Sequence, residues 1–370
     1  MVWLFLACLL PAHSQINPNI KIPYEKLGHL IMVKVKINDS DSVFNFIIDT
    51  GGSTFIDKNI AKELELKEQG PMAKITTMDV SGYQIQNVFC FTTFNFDIFK
   101  LLGRPIHGII GSNLMERYKV TFDFLSHQVI FSNDTTAIEP QENAMYFVFR
   151  NHTVNNAPII PLRLNNNMIE GMIDTGQPYP LVLPIKDAGD YKKTEHSGFI
   201  RSTGIMESWP QTNPTHNYIA RFPTCILGNQ TISDIYCLFS ELPPMLSMPL
   251  IGMDLLSQYK MIINYPKDEM VLIPIPGFRL KNNIYTVGLN PEISEEGKIF
   301  VKGVWEHSPA DEARIQIGDQ IIAFESRVAT SENLNELMQL MENDHIKQIH
   351  LVIRNKEGQK KIKLKKKMLF

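Results

Sequence analysis

The stretch FNFIIDTGGSTF, Phe44–Phe55, decides how this chain is read. Phe46, Ile47 and Ile48 run straight into Asp49-Thr50-Gly51, followed by Gly52-Ser53-Thr54. Taken alone it is a buried strand ending in a polar turn, because Asp, Gly and Ser are ordinary strand terminators. A three-residue motif is too short to carry chemistry by itself. Its recurrence settles the matter.

A second apolar run leads into Asp174-Thr175-Gly176. Each copy is followed by a matching segment. Ile109-Ile110-Gly111 with Leu114, Tyr118 and Lys119 follows the first, and Leu250-Ile251-Gly252 with Leu255, Tyr259 and Lys260 follows the second. The two align without a gap from Ile109–Phe131 to Leu250–Leu272. The approach to each motif matches too: Ile31 to Ile37 alternates with period two, and Pro158 to Leu164 is its apolar counterpart. The sequence is therefore a tandem duplication of one β-rich unit.

Two aspartates related by duplication can do what one cannot. Two carboxylates about 3 Å apart cannot both ionise, so they share a proton. One then serves as base toward a water while the other serves as acid toward a carbonyl oxygen. That arrangement needs equivalent residues meeting on a two-fold axis, which a duplicated chain supplies. In this reading Asp49 and Asp174 form the pair. Thr50 and Thr175 hydrogen-bond across the axis, and Gly51 and Gly176 let their N–H groups reach the carboxylates. Gly111 and Gly252 pack behind the loops, where a side chain would not fit.

These paired motifs resemble the aspartic peptidase family, in particular its retropepsin-like, double-lobed bacterial members. The resemblance implies a mainly β, bilobal fold with the cleft between lobes at residues 25–140 and 141–276, and no cofactor. Gly52 and Gln177 stand where many members carry a hydroxyl that stabilises the carboxylate. Its absence predicts a raised dyad pKa and an optimum less acidic than pepsin's. The hairpin around Ser81-Gly82 is a candidate flap with Tyr83 over the substrate, or an ordinary surface hairpin. The second copy is longer between its Asp and its glycine, and the excess is expected between Lys186 and Pro223, as an enlarged flap, a lid or a long loop.

After Pro276 the pattern changes. The order Ser308-Pro309-Ala310, Ile317-Gly318-Asp319-Gln320-Ile321, a helix with Leu334, Leu337, Met338 and Met341 on one face, and a final hairpin resembles bacterial PDZ domains over residues 280–367. The resemblance implies an α+β small barrel that binds peptide C-termini by strand addition, with Val287-Gly288-Leu289 as the carboxylate-holding loop. Ser331 is the expected helix cap. Pro291 lacks a ladder donor within the would-be partner strand.

Composition narrows the alternatives. A net charge of −3 gives no global basic field for nucleic acid. The local exception, Lys360 to Lys367, reads as a charged edge strand that blocks further pairing, or as a polyanion contact. Residues 1–14 read as a secretory signal peptide, too short to span a bilayer, so export without a stable membrane anchor is expected. The cysteines show no CxxC, and the histidines show no HExxH, so no metal site is expected. Cys225 and Cys237 read either as a pair or as two buried thiols. The expected partners are polypeptide substrates and peptide C-termini. The rival reading is a catalytically silent peptide-binding scaffold, whose signature would be a lost Asp in one copy.

Overall fold

The computed structural model describes residues 19–96, 104–194, 198–207, 209, 212–278, 280 and 282–370. The expected signal peptide lies outside them. The described chain is mainly β.

In the first unit, beside an edge strand at Glu25–Leu27, the main strands are β1 (Leu30–Ile37), β2 (Phe44–Asp49), β3 (Phe55–Ile56), β4 (Lys67–Gln69), β5 (Met72–Val80), β6 (Tyr83–Phe91) and β7 (Gly108–Gly111). They lie in the order β1-β2-β7-β3-β6-β5-β4, and β5 also pairs with β1. The second unit contains β8 (Pro158–Leu164), β9 (Asn167–Ile173), β10 (Leu181–Pro184), β11 (Phe199–Gly204), β12 (Tyr218–Leu227), β13 (Gln230–Ser240) and β14 (Leu250–Ile251). Their order is β8-β9-β14-β10-β13-β12-β11, again with an extra pairing of β8 to β12. Each strand of the second unit thus occupies the place of the strand seven earlier. The duplication read in the sequence is a duplication of topology.

A six-stranded antiparallel sheet joins the two units. At its centre Lys119–Asp123 pairs with Tyr259–Asn264, and Thr121 lies opposite Ile262, its own counterpart in the second copy. A pseudo-two-fold axis therefore passes between these strands. One apolar core runs through both units and this sheet, with Phe46, Ile48, Phe122, Phe131, Ile173 and Phe239 among its buried members.

The C-terminal unit has its own core around Val301, Phe324, Leu337 and Leu351. Its main elements are β15 (Leu289–Ile293), β16 (Ile299–Trp305), β17 (Gln320–Phe324), α1 (Leu334–Glu342), β18 (Gln348–Asn355) and β19 (Gly358–Lys365). The helix begins one residue earlier than expected. Its first turn, Ser331–Asn333, is 3-10, so Thr330 rather than Ser331 is the cap, in a reciprocal box with Asn333. Pro291 sits at a bulge, where the register against β16 shifts after Asn290. Among the described residues β19 pairs only with β18, so its lysines line a sheet edge.

This unit is not a bead on a linker. Ser202, Thr203 and Gly204 of β11 pair antiparallel with Trp305, Val304 and Gly303 of β16, making one 14-stranded sheet. Trp305, Ile200, Ile219 and Leu238 share a small core at the junction.

Candidate active site

The two Asp-Thr-Gly loops meet on the pseudo-two-fold axis. In each unit the last apolar strand residues are buried (Phe46, Ile47 and Ile48 in β2; Met172 and Ile173 in β9), which fixes the direction in which the loop leaves the sheet. Behind the first loop runs β7, parallel to β2, with Gly111 opposite Asp49. A Cβ at Gly111 would come within 2.2 Å of the Ser53 carbonyl carbon, and one at Gly252 within 2.2 Å of the Tyr179 oxygen. Both glycines lie against the loops as the sequence suggested.

Beneath the aspartates the threonines are fully buried and interlocked. Thr50 N–H donates to Thr175 Oγ1 at 3.0 Å, and Thr50 Oγ1 donates to the Ile173 carbonyl at 2.8 Å. Thr175 returns both bonds, from its N–H to Thr50 Oγ1 at 3.1 Å and from Oγ1 to the Ile48 carbonyl at 3.1 Å. Four buried hydrogen bonds between the copies tie the loops to one another as well as to their own sheets.

Asp49 and Asp174 hydrogen-bond each other. Gly51 N–H donates to Asp49 Oδ1 at 2.8 Å and Gly176 N–H to Asp174 Oδ1 at 2.9 Å. Each glycine also packs on the opposite carboxylate: a Cβ on Gly51 would fall 2.4 Å from Asp174 Cγ, and one on Gly176 2.8 Å from Asp49 Cγ. Burial raises both carboxyls above the usual range. The Asp49 charge drives Asp174 further up, whereas N–H donors from Gly51, Gly176 and Gly52 hold Asp49 back. Raised and coupled, the two carboxyls titrate as a pair, and two like charges this close disfavour double ionisation. Such a pair can bind a water between its oxygens and move protons to and from it.

The sequence did not disclose two residues that complete the site. His29 Nε2 bonds the Gly176 carbonyl at 2.9 Å, and Asn155 Nδ2 donates to the Gly51 carbonyl at 2.5 Å. Each comes from the turn before its unit's first long strand, and each reaches the opposite unit's loop. They are thus counterparts with different chemistry. Asn155 is itself fixed by Ala157 N–H and by His152. Burial lowers the His29 pKa, so the ring is neutral and donates from Nε2. A polar residue just ahead of each period-two strand was the available signal. Below the first loop, Ser112 Oγ donates to the Thr50 carbonyl at 2.7 Å and contacts Tyr265 at 2.9 Å; Met253 stands at the equivalent place in the second copy.

Tyr83 is not above the dyad. The Ser81-Gly82 turn pairs back to β1, with Val80 opposite Val35 and Met78 opposite Ile37. Ile31 is the β1 residue opposite Ile48, so Val80 stands four β1 residues from the level of Ile48. Tyr83 packs on the core and its hydroxyl meets that of Tyr118. The hairpin at the dyad end is β4–β5, turning at Gly70-Pro71: Met72 is opposite Phe91, and Phe91 is beside Phe55. Its counterpart is the connection from β11 to β12, where the second unit's extra length falls, within the predicted stretch.

Val287 is buried, and Gly288 is left-handed (φ 76°) with Ser308 packed where a Cβ would project. Cys225 and Cys237 are free buried thiols, the former pushed up to about 12 by burial. Among the described residues no three His, Cys, Asp or Glu side chains cluster as a metal site, and no helix is long and apolar enough to cross a membrane. No family model matches the chain, and no curated protein matches it.

Proposed function

We propose that this chain is an exported aspartic endopeptidase of bilobal, retropepsin-like build, followed by a PDZ-like peptide-binding module. The observation that carries the reading is the mutually hydrogen-bonded Asp49–Asp174 pair on the pseudo-two-fold axis, with Asp174 buried and Asp49 half-buried. A water held between them loses a proton to Asp49 as its oxygen attacks the scissile carbonyl, and Asp174 gives its proton to the carbonyl oxygen. Collapse of the resulting diol with proton delivery to the amide nitrogen releases both products and restores the pair. The Thr50–Thr175 clasp and the glycine N–H groups fix this geometry before substrate arrives.

The competing reading, a silent scaffold, predicts a broken dyad, and both aspartates are in place. Cleavage of a mixed peptide pool by the mature chain and by Asp49→Ala, across acid to neutral pH, tests the proposal. Hydrolysis lost in the variant is expected, with an optimum well above pepsin's strongly acidic one, because burial raises both carboxyls. A folded wild type that cleaves nothing at any pH would sink the hydrolase reading.

A further inference from the structure

The two units differ in what holds the connection at the dyad end. In the first unit it is the tight Gly70-Pro71 turn between β4 and β5. In the second, its counterpart leaves β11 at Ile205 and returns at Asn217, just before β12. A longer connection has more conformational freedom to lose. Its first residues, Ile205-Met206-Glu207, are held from two sides.

From its own unit, the fully buried Asn217 accepts the Met206 N–H at 2.8 Å and the Glu207 N–H at 3.0 Å on Oδ1, and its Nδ2 donates to the Glu207 carbonyl at 3.1 Å. From the C-terminal unit, Asn290 of β15 donates from Nδ2 to the Ile205 and Met206 carbonyls at 2.8 and 3.1 Å. Ile205 N–H donates to the Lys302 carbonyl of β16 at 3.0 Å. Gly303 lies so near that a Cβ there would come within 2.3 Å of the Ile205 oxygen. Backbone groups leaving a sheet must find partners, and for Ile205 and the Met206 carbonyl the C-terminal unit supplies them.

This short segment in turn meets the exit of the second Asp-Thr-Gly loop. Tyr179, three residues after Gly176, donates from Oη to Glu207 at 3.0 Å. The Tyr179 carbonyl is the atom against which Gly252 packs, and the Gln177 and Pro180 carbonyls accept the Met253 and Gly252 N–H groups at 2.7 and 3.1 Å. Asn290, Glu207 and Tyr179 line one cavity of 440 Å³. A run of hydrogen bonds therefore leads from β15, through the backbone of Met206 and Glu207, to the loop that carries Asp174.

We propose that Asn290 is a positioning residue for hydrolysis, through which the C-terminal unit fixes the second unit's side of the substrate cleft. The inference rests on the hydrolase reading and deepens it. Asn290 touches neither aspartate. It acts through the Ile205 and Met206 carbonyls, so its loss shows in how substrate is held and not in the proton transfers.

The test is steady-state peptide cleavage by the full chain and by Asn290→Ala, Asn290→Asp, Tyr179→Phe and Asn290→Ala with Tyr179→Phe. Both Asn290 variants remove the two donors, and the near-isosteric aspartate carries the test if alanine prevents folding. Each is expected to raise KM ~10-fold, the order of one or two lost hydrogen bonds, with kcat within about twofold. Residues acting through one segment are not additive, so the double variant should raise KM by less than the product of the single effects. Amide exchange at Met206 and Glu207 should quicken in both Asn290 variants. A wild-type KM in a folded Asn290 variant, unaltered exchange, or fully multiplicative effects would each overturn the inference, and a lower melting temperature alone would mark Asn290 as structural glue. A wild type that cleaves nothing would remove the hydrolase reading and this inference with it; failure of the inference alone is recognised by cleavage that persists, with unchanged KM, in the variants.

Discussion

A proton shared by Asp49 and Asp174, as the proposed mechanism requires, has a thermodynamic signature separate from hydrolysis. Burial and the Asp49 charge raise the Asp174 pKa in the folded chain. The native state thus binds a proton that the unfolded chain gives up above about pH 4, so this contribution to stability is full in acid and is lost as pH rises. Asp174→Asn removes the slope. Thermal melts across pH should show the variant gaining on the wild type as pH increases; a constant gap would count against a shared proton. His29 gives a second prediction at this scale. His29→Ala leaves the Gly176 carbonyl without its donor and frees a loop whose N–H groups set the dyad, and ~10²-fold in kcat is the order expected for a misplacement near 1 Å. Little change in KM and partial rescue by His29→Gln would mark positioning; a purely structural role would lower stability without that rescue. The paired aspartates, threonines and glycines were legible in the sequence because each place tolerates only one kind of residue. His29 and Asn155 were not, because equivalent positions hold different side chains and each serves the opposite copy.

At the level of elements, the Ser81-Gly82 hairpin was legible in the sequence, but whether it was a flap or an ordinary surface hairpin was not. Ser81-Gly82 and Gly70-Pro71 are equally good turn signals, and alternation along a strand cannot say which turn faces the Asp-Thr-Gly loop. That depends on the stagger introduced when β5 pairs with β1, a contact between strands far apart in sequence. The kinetic consequence is specific. Tyr83→Phe should leave KM for a peptide substrate within about twofold, as for surface or distal changes. Lengthening the Gly70-Pro71 turn should alter KM. A reversed pattern in steady-state kinetics would restore the Ser81-Gly82 hairpin to the cleft.

For the whole molecule, the duplication and the change of pattern after Pro276 could be read from spacing alone, but the attachment of the last unit could not. It depends on β11 pairing with β16, a hundred residues apart in the chain by their shared register. Ending the chain at Pro276 would strip that edge and uncover Ile200, Ile219 and Leu238. Such a truncation should melt earlier and aggregate, since a bare strand edge beside apolar surface recruits other chains. An unchanged melting temperature would contradict the shared-sheet arrangement. The central pairing of Thr121 with Ile262 has a further consequence. Because the two halves of the site are tethered, their meeting does not depend on mass action, and specific activity should be indifferent to dilution. A symmetric dimer would have to place the same residue at both ends of its axis. This chain is under no such obligation, and histidine facing asparagine across the loops is the asymmetry that a single polypeptide permits.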